Sequence, residues 1–128
     1  MGRLRWNEAF SVGDLHLDSE HRVLLGLINR LHEVEGQGEQ ILASALQDLV
    51  NYAEVHFGHE EALMEEGGFP ELVAHRALHD RFRHQLAGLM TQANANDPAL
   101  LEELRQFLAA WWRHHILEED RRYRPSLP

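Results

Sequence analysis

From Asp18 onward the chain repeats one arrangement four times: apolar residues spaced three and four apart on one side, charged residues opposite. That is the pattern of a helix burying one face. The first run sets His21, Leu24, Leu25, Ile28 and Leu31 against Arg22, Asn29, Arg30 and Glu33. With Asp18 or Ser19 as N-cap it predicts a helix over about 19–35, ending at the Gly36–Gly38 turn. The second stripe, Leu42, Leu46, Leu49, Ala53, His56, Glu60 and Leu63, predicts a helix over about 39–66 that stops at Gly67-Gly68. The third, over about 70–93 with Pro70 near its first turn, carries His75, His79, Phe82, Leu86 and Leu89 inward. After a loop at Asn94–Asp97, Asp97-Pro98 caps a fourth helix over about 98–119, with Leu101, Leu104, Leu108, Trp111 and His115 on its stripe. Arg121, Arg122 and Arg124 suit its C-terminus. Residues 1–17 show no sustained period and are expected to form an irregular arm, with Trp6, Phe10 and Val12 packing over the rest. With no strand-like alternation and short connections, the expected fold is all-α: one domain over 1–128, an antiparallel up-down-up-down four-helix bundle with an irregular N-terminal arm.

Composition narrows what such a bundle can do. The chain has no Cys, so any metal must be held by nitrogen and oxygen. A net charge of −9 argues against nucleic acid or an anionic membrane surface as partner. No apolar run reaches membrane-spanning length, and the start MGRLRWNEAF lacks the apolar stretch of a secretory signal. A cytoplasmic location is therefore expected. All 12 basic residues are Arg, for which no physical reason is evident.

The ten His change the picture most. His56 and Glu60 stand four apart where the stripe calls for apolar residues, and so do His75 and His79; each pair presents two ligand-capable groups to one point. The Gly67-Gly68 break lets the second pair turn back toward the first. A lone inward His21 or His115 is better explained as a hydrogen-bonded core residue. Glu60 is different, because a buried carboxylate costs several kcal/mol or more unless it is paired or binds a metal. Pairing with one protonated His explains one neighbour, not five inward imidazoles; a central cation explains all of them. Asp120 is less clear from spacing: five residues past His115 it falls about 140° off that face in a regular helix, which favours a surface position. His16, His32, His59, His84 and His114 lie off the inward stripes or beside a ligand. They are expected at the surface, with only His59 and His114 near enough to support a ligand.

Taken together, D18-S-E-H21 followed by I28-N29, H56-F-x-x-E60-E61-x-L63-M64, F69-P70, H75-x-x-x-H79, W111 and H115-I116-x-x-x-D120 resemble the hemerythrin family, in particular its single-domain bacterial members. The resemblance covers nearly the whole chain. It implies a four-helix bundle with two irons joined by an oxide or hydroxide. His75, His79 and His115 would bind one iron, His21 and His56 the other, with Glu60 and Asp120 bridging both. Counted that way, the His21/His56 iron lacks one ligand, and O2 would bind there reversibly. The implied partner is O2, with an oxygen-consuming enzyme as a conceivable recipient and a monomer as the working unit. Leu24, Leu25, Phe57, Trp111 and Ile116 are expected to form a dry wall for the gas, although plain core packing explains each equally well. Two departures stand out: Glu20 where the family often has Gln, and Trp112 where it often has Leu.

Other classes fit less well. A ferritin-like oxidase uses Glu-x-x-His motifs, and the chain has none. A zinc hydrolase wants H-E-x-x-H, which His59-Glu60-Glu61-Ala62-Leu63 fails at its last position. Within the same fold, peroxidase or nitric-oxide chemistry, or sensing of O2 or iron, stays open. A bundle with incidental His would hold no stoichiometric metal.

Overall fold

Each of the four predicted helices is built on a stripe with steps of three and four, and the computed structural model of the protein shows where those stripes meet. It describes residues 4–92 and 96–127. Four long helices follow in order: α1 (Leu15–Arg30), α2 (Glu39–Glu66), α3 (Leu72–Gln92) and α4 (Pro98–His114). A π-helical turn (His115–Glu119), a short helix α5 (Asp120–Tyr123) and a 3-10 turn (Arg124–Ser126) complete the chain. α1 packs on α2 and α4, α2 on α3, and α3 on α4, the closed ring of an up-down-up-down bundle. Among the described residues there is no strand, and no helix is long and apolar enough to cross a membrane.

The predicted boundaries hold for α2 and for the start of α4, where the Asp97 side chain accepts the Ala99 and Leu100 amides and Pro98 takes the first helical position. Four boundaries differ, one of them the end of α4, which gives way to the π turn after His114. α1 begins a turn earlier than expected, because the N-cap is Asp14, whose side chain accepts the Leu17 amide. Asp18 is instead buried inside the helix and accepts the Ser11 hydroxyl and the Val12 amide, which ties the arm down. α1 also stops at Arg30, five residues short, and a turn carries Leu31 and Val34 into the core. The buried Arg105 of α4 donates to the Leu31 carbonyl there, satisfying a group that the helix end leaves open. α3 starts at Leu72, with Pro70 in the preceding turn. Its predicted last residue, Ala93, and the loop residues Asn94 and Ala95 lie outside the described residues.

The arm is less irregular than expected. It contains a 3-10 turn at Glu8–Phe10, buries Phe10 and Val12, and lays Trp6 half-buried against the bundle beneath the Arg22 guanidinium. Asn29 holds its start through two hydrogen bonds with the Leu4 backbone, each 2.7 Å.

The α2–α3 corner is set by glycine chemistry. α2 ends in a Schellman turn: Gly68, at φ +69°, donates to Glu65, and the Phe69 amide donates to Met64. Gly67 serves another purpose, since a Cβ there would overlap the Ser126 carbonyl oxygen of the C-terminal segment crossing over it. That crossing helps to close one end of the bundle. Val12, Leu17, Met64, Phe69 and Tyr123 form a small apolar cluster there, separate from the main core.

Candidate metal centre

Between the small apolar cluster and the main core lies a layer of seven ionisable side chains. His21 comes from α1, His56 and Glu60 from α2, His75 and His79 from α3, His115 from the π turn and Asp120 from the start of α5. All seven are buried, and Glu60 and Asp120 are fully enclosed. In antiparallel neighbours, ligands near the N-termini of α1 and α3 fall at the same level as those near the C-termini of α2 and α4, so one layer collects them.

The two carboxylates divide their oxygens between two sets of imidazoles. Glu60 Oε2 lies 3.4 Å from His21 Nε2 and 3.2 Å from His56 Nε2, while Asp120 Oδ2 is 3.2 Å from His21 Nε2. The opposite oxygens face the other way. Glu60 Oε1 lies 3.0 Å from His79 Nε2 and 3.5 Å from His75 Nε2; Asp120 Oδ1 lies 3.1 Å from His75 Nε2 and 2.9 Å from His115 Nε2. Two groups of possible ligands result: Glu60, His75, His79 and His115 in one, His21, His56, Glu60 and Asp120 in the other.

Asp120 reaches this layer although regular helix geometry would turn it away. Its amide donates to the His115 carbonyl, a five-residue span that closes the π turn. Such a wide turn brings residues five apart onto one face and occurs often at functional sites. The surface position that spacing favoured for Asp120 is thus overturned by one local change of helix type.

The layer's polar atoms fit a cation. Both His21 ring nitrogens, His56 Nε2, His75 Nε2, Glu60 Oε1 and both Asp120 oxygens are buried without a hydrogen bond. His79 Nε2 and His115 Nε2 lie 3.2 Å apart, a hydrogen-bond distance that also suits two nitrogens sharing one ion. Ligands about 2.1 Å from a metal sit about 3.0–3.4 Å from each other; the nitrogen–oxygen distances here run from 2.9 to 3.5 Å, with His115 Nε2 at 4.0 Å from Glu60 Oε1. Nitrogen and carboxylate donors suit iron or zinc, not calcium or magnesium.

Without a cation the layer compensates with protons. Burial disfavours the charged form of His56, but Glu60, Glu20 and Asp120 outweigh it and raise its pKa to about 10. His75 behaves alike: burial opposes charging, and Asp120 and Glu60 lift it to about 9. Burial pushes the Glu60 carboxyl up, yet the surrounding histidines, His56 foremost, hold it well below the usual range. Asp120 is likewise lowered, its burial and the nearby Glu60 charge being overcome by His115 and His21.

Three further side chains orient the ligands. Glu20 accepts from His56 Nδ1 at 2.8 Å and Glu61 from His79 Nδ1 at 2.7 Å, which directs each Nε2 inward. Glu61 is itself held by Arg76 at 3.1 Å. Tyr123 donates to Glu60 Oε2 at 2.8 Å; burial and the charges of Asp120 and Glu60 keep its hydroxyl protonated well above its ordinary pKa. The stripes pointed to none of these three residues. Glu20 and Glu61 each directly adjoin a predicted ligand, the one signal available, and Tyr123 lies beyond the predicted fourth helix.

Of the proposed wall residues, Phe57 stacks on His79 with ring centres 3.8 Å apart, and Trp111 stacks on His115 at 4.3 Å. Leu24, Leu25 and Ile116 belong to the main core, and Trp111 is half-buried at its edge. The fully buried Trp112, absent from the expected wall, packs against both groups, with its ring 6.0 Å from His56 and 6.1 Å from His115. His59 and His114 are both exposed; His59 contacts Glu20, and His114 lies 3.7 Å from Glu119.

Comparison with known proteins places this arrangement in context. A family model described as the hemerythrin HHE cation binding domain matches residues 13–127. A bacteriohemerythrin of Stenotrophomonas maltophilia is 30% identical over 96% of this chain and 80% of its own length. A bacteriohemerythrin of Methylococcus capsulatus is 27% identical over 99% of this chain and 98% of its own. A hemerythrin-like protein of Naegleria gruberi is 31% identical over 95% and 92%. Among solved structures, wild-type hemerythrin superposes with a TM-score of 0.85 at 26% identity, covering 98% of both chains.

Proposed function

The chain belongs to the hemerythrin family, and we propose that it binds O2 reversibly at two irons held by its buried histidine–carboxylate layer. In this reading His75, His79 and His115 hold one iron, His21 and His56 the other, and Glu60 and Asp120 span the pair. The observation that carries it is the division of the two carboxylates, each turning one oxygen to either set of imidazoles. When bound, the iron pair would supply two electrons that can be shared with a diatomic gas.

The chain's own residues favour binding over turnover. Glu20 and Glu61 keep a proton on Nδ1 of His56 and His79, so each presents an Nε2 lone pair inward. Tyr123, the hydroxyl closest to the layer, is committed to Glu60 and holds its proton tightly, which makes it a poor acid. The apolar cluster of Val12, Leu17, Met64, Phe69 and Tyr123 on one side and Phe57, Trp112 and the main core on the other shield most of the layer from water, with His75 bordering a small cleft beside Glu71, Glu119 and Arg122. A largely dry site whose adjoining hydroxyl holds its proton limits both loss of reduced oxygen and oxidation of a substrate. We further read residues 1–128 as one domain acting as a cytoplasmic monomer in gas storage or in delivery to an oxygen-consuming enzyme.

The test is the visible spectrum of the reduced, iron-loaded protein through a cycle of O2 exposure and removal. A colour that appears with O2 and bleaches on deoxygenation is expected. An irreversible change to an oxidised spectrum would replace this reading with peroxidase or nitric-oxide chemistry at the same centre.

A further inference from the structure

We propose that His16, Glu20 and His59 form a separate cation site near the surface, which takes one divalent transition-metal ion of the zinc class with water completing its shell. The proposal goes beyond the gas-binding reading and stands whether or not that reading holds.

His16 and Glu20 lie one turn apart on the same face of α1, and His59 projects toward them from α2. One oxygen, Glu20 Oε2, is 2.6 Å from His59 Nδ1 and 3.3 Å from His16 Nε2, and the three possible ligand atoms lie within 4.8 Å of one another. The two imidazole rings stand 5.2 Å apart and are tilted, not stacked. In a tetrahedral shell with bonds of about 2.05 Å, ligand atoms are about 3.3 Å apart. His16 and Glu20 already have that spacing. His59 needs only a small outward shift, and at 48% side-chain exposure it is free to make one.

A plain hydrogen bond between Glu20 and His59 accounts for part of this arrangement but not for His16. That side chain is 65% exposed, so packing does not hold it, yet its Nε2 turns to the same carboxylate oxygen. Glu20 is buried at 6% side-chain exposure, and its partners are imidazoles: His56 on Oε1, His16 and His59 on Oε2. Two imidazoles, one from each helix, thus converge on a single buried carboxylate oxygen, which is the donor set of a transition-metal site. Two nitrogens and one carboxylate oxygen with an open position suit zinc, iron(II) or cobalt(II), and disfavour calcium and magnesium. The site is assigned to binding alone.

The test is a calorimetric titration of Zn(II) into the iron-loaded full chain, with iron and zinc counted afterwards by elemental analysis. One zinc per chain is expected in addition to the iron. His16→Ala and His59→Ala should each weaken it roughly tenfold or more; both positions are exposed, so helix content and iron content should not change. Absence of zinc binding, equal zinc binding in the His16→Ala/His59→Ala double variant, or zinc uptake only as iron leaves would each overturn the proposal. The same titration on the iron-free chain separates this proposal from the previous one. There the buried ligands also take zinc, but the difference between wild type and double variant should still be one ion.

Discussion

The two ends of the bundle are buried equally and held together differently. Toward the α1–α2 turn, the stripes meet through Leu31, Leu42, Leu46, Leu49, Leu101 and Leu104, all at most 4% exposed. Each such leucine contributes about 1.5–3 kcal/mol by leaving water, whatever else is in solution. At the other end the same stripes meet through five imidazoles and two carboxylates, several of whose polar atoms have no hydrogen bond. A buried polar group left in that state costs about 1–3 kcal/mol. One end is therefore self-sufficient, and the other depends on protons or a cation from solution. The cohesion of a single fold can thus be unconditional in one half and conditional in the other.

Experiments can break this contrast, and the largest effect is expected from the conditional end. Glu60→Ala removes a carboxylate that faces both sets of imidazoles. Bound iron should fall below two per chain by elemental analysis; retention of two irons with reversible O2 uptake would remove Glu60 from the ligand set.

Next comes pH, applied to the metal-free protein. His56 and His75 are raised in the folded state to about 10 and about 9, above the ordinary histidine value of 6.5. The folded chain then holds more protons than the unfolded one. This contribution is full below pH 6.5 and disappears as pH rises toward 9–10, on a scale of about 1.4 kcal/mol per pKa unit. Chemical denaturation of the metal-free chain should show stability falling across that window. Metal loading should flatten the fall, because the cation takes the protons' place. A metal-free stability that stays level from pH 6.5 to 10 would contradict the conditional character of this end.

The smallest effect sharpens the contrast from the other side. Leu49→Ala should cost about 2–5 kcal/mol as a core truncation, equally with and without metal, and leave the iron content unchanged. Denaturation curves recorded in both states check this. A cost that depended on metal would mean that the two ends are coupled.

Much of this was readable in the sequence, for a definite reason. Where ligands sit four apart on a regular helix, as His56 and Glu60 or His75 and His79 do, the helical period itself declares a shared face. The apolar stripes likewise placed four helices and the α2–α3 corner. Asp120 was not readable from period, because the π turn that brings it inward has no signature in a three-and-four pattern. Asp18 looked like an N-cap because its residue type suits one; its actual role, accepting from Ser11 and Val12, belongs to tertiary structure. Glu20, Glu61 and Tyr123 act on ligands sideways, across helices, where a single strip of sequence shows only acidic and aromatic residues near a stripe.

The π turn also bears on which length changes this chain can accept. A wide turn amounts to one surplus residue slipped into an ordinary helix. Losing Leu117 would leave the acid four positions past His115, the step that already joins His56 to Glu60 and His75 to His79, so the vanished residue would be absorbed locally. A gain or loss between either of those other pairs has no such slack, and swings one member about 100° around its helix. Of the ligand-bearing stretches, the one that departs from regular geometry is thus the one most forgiving of a deletion.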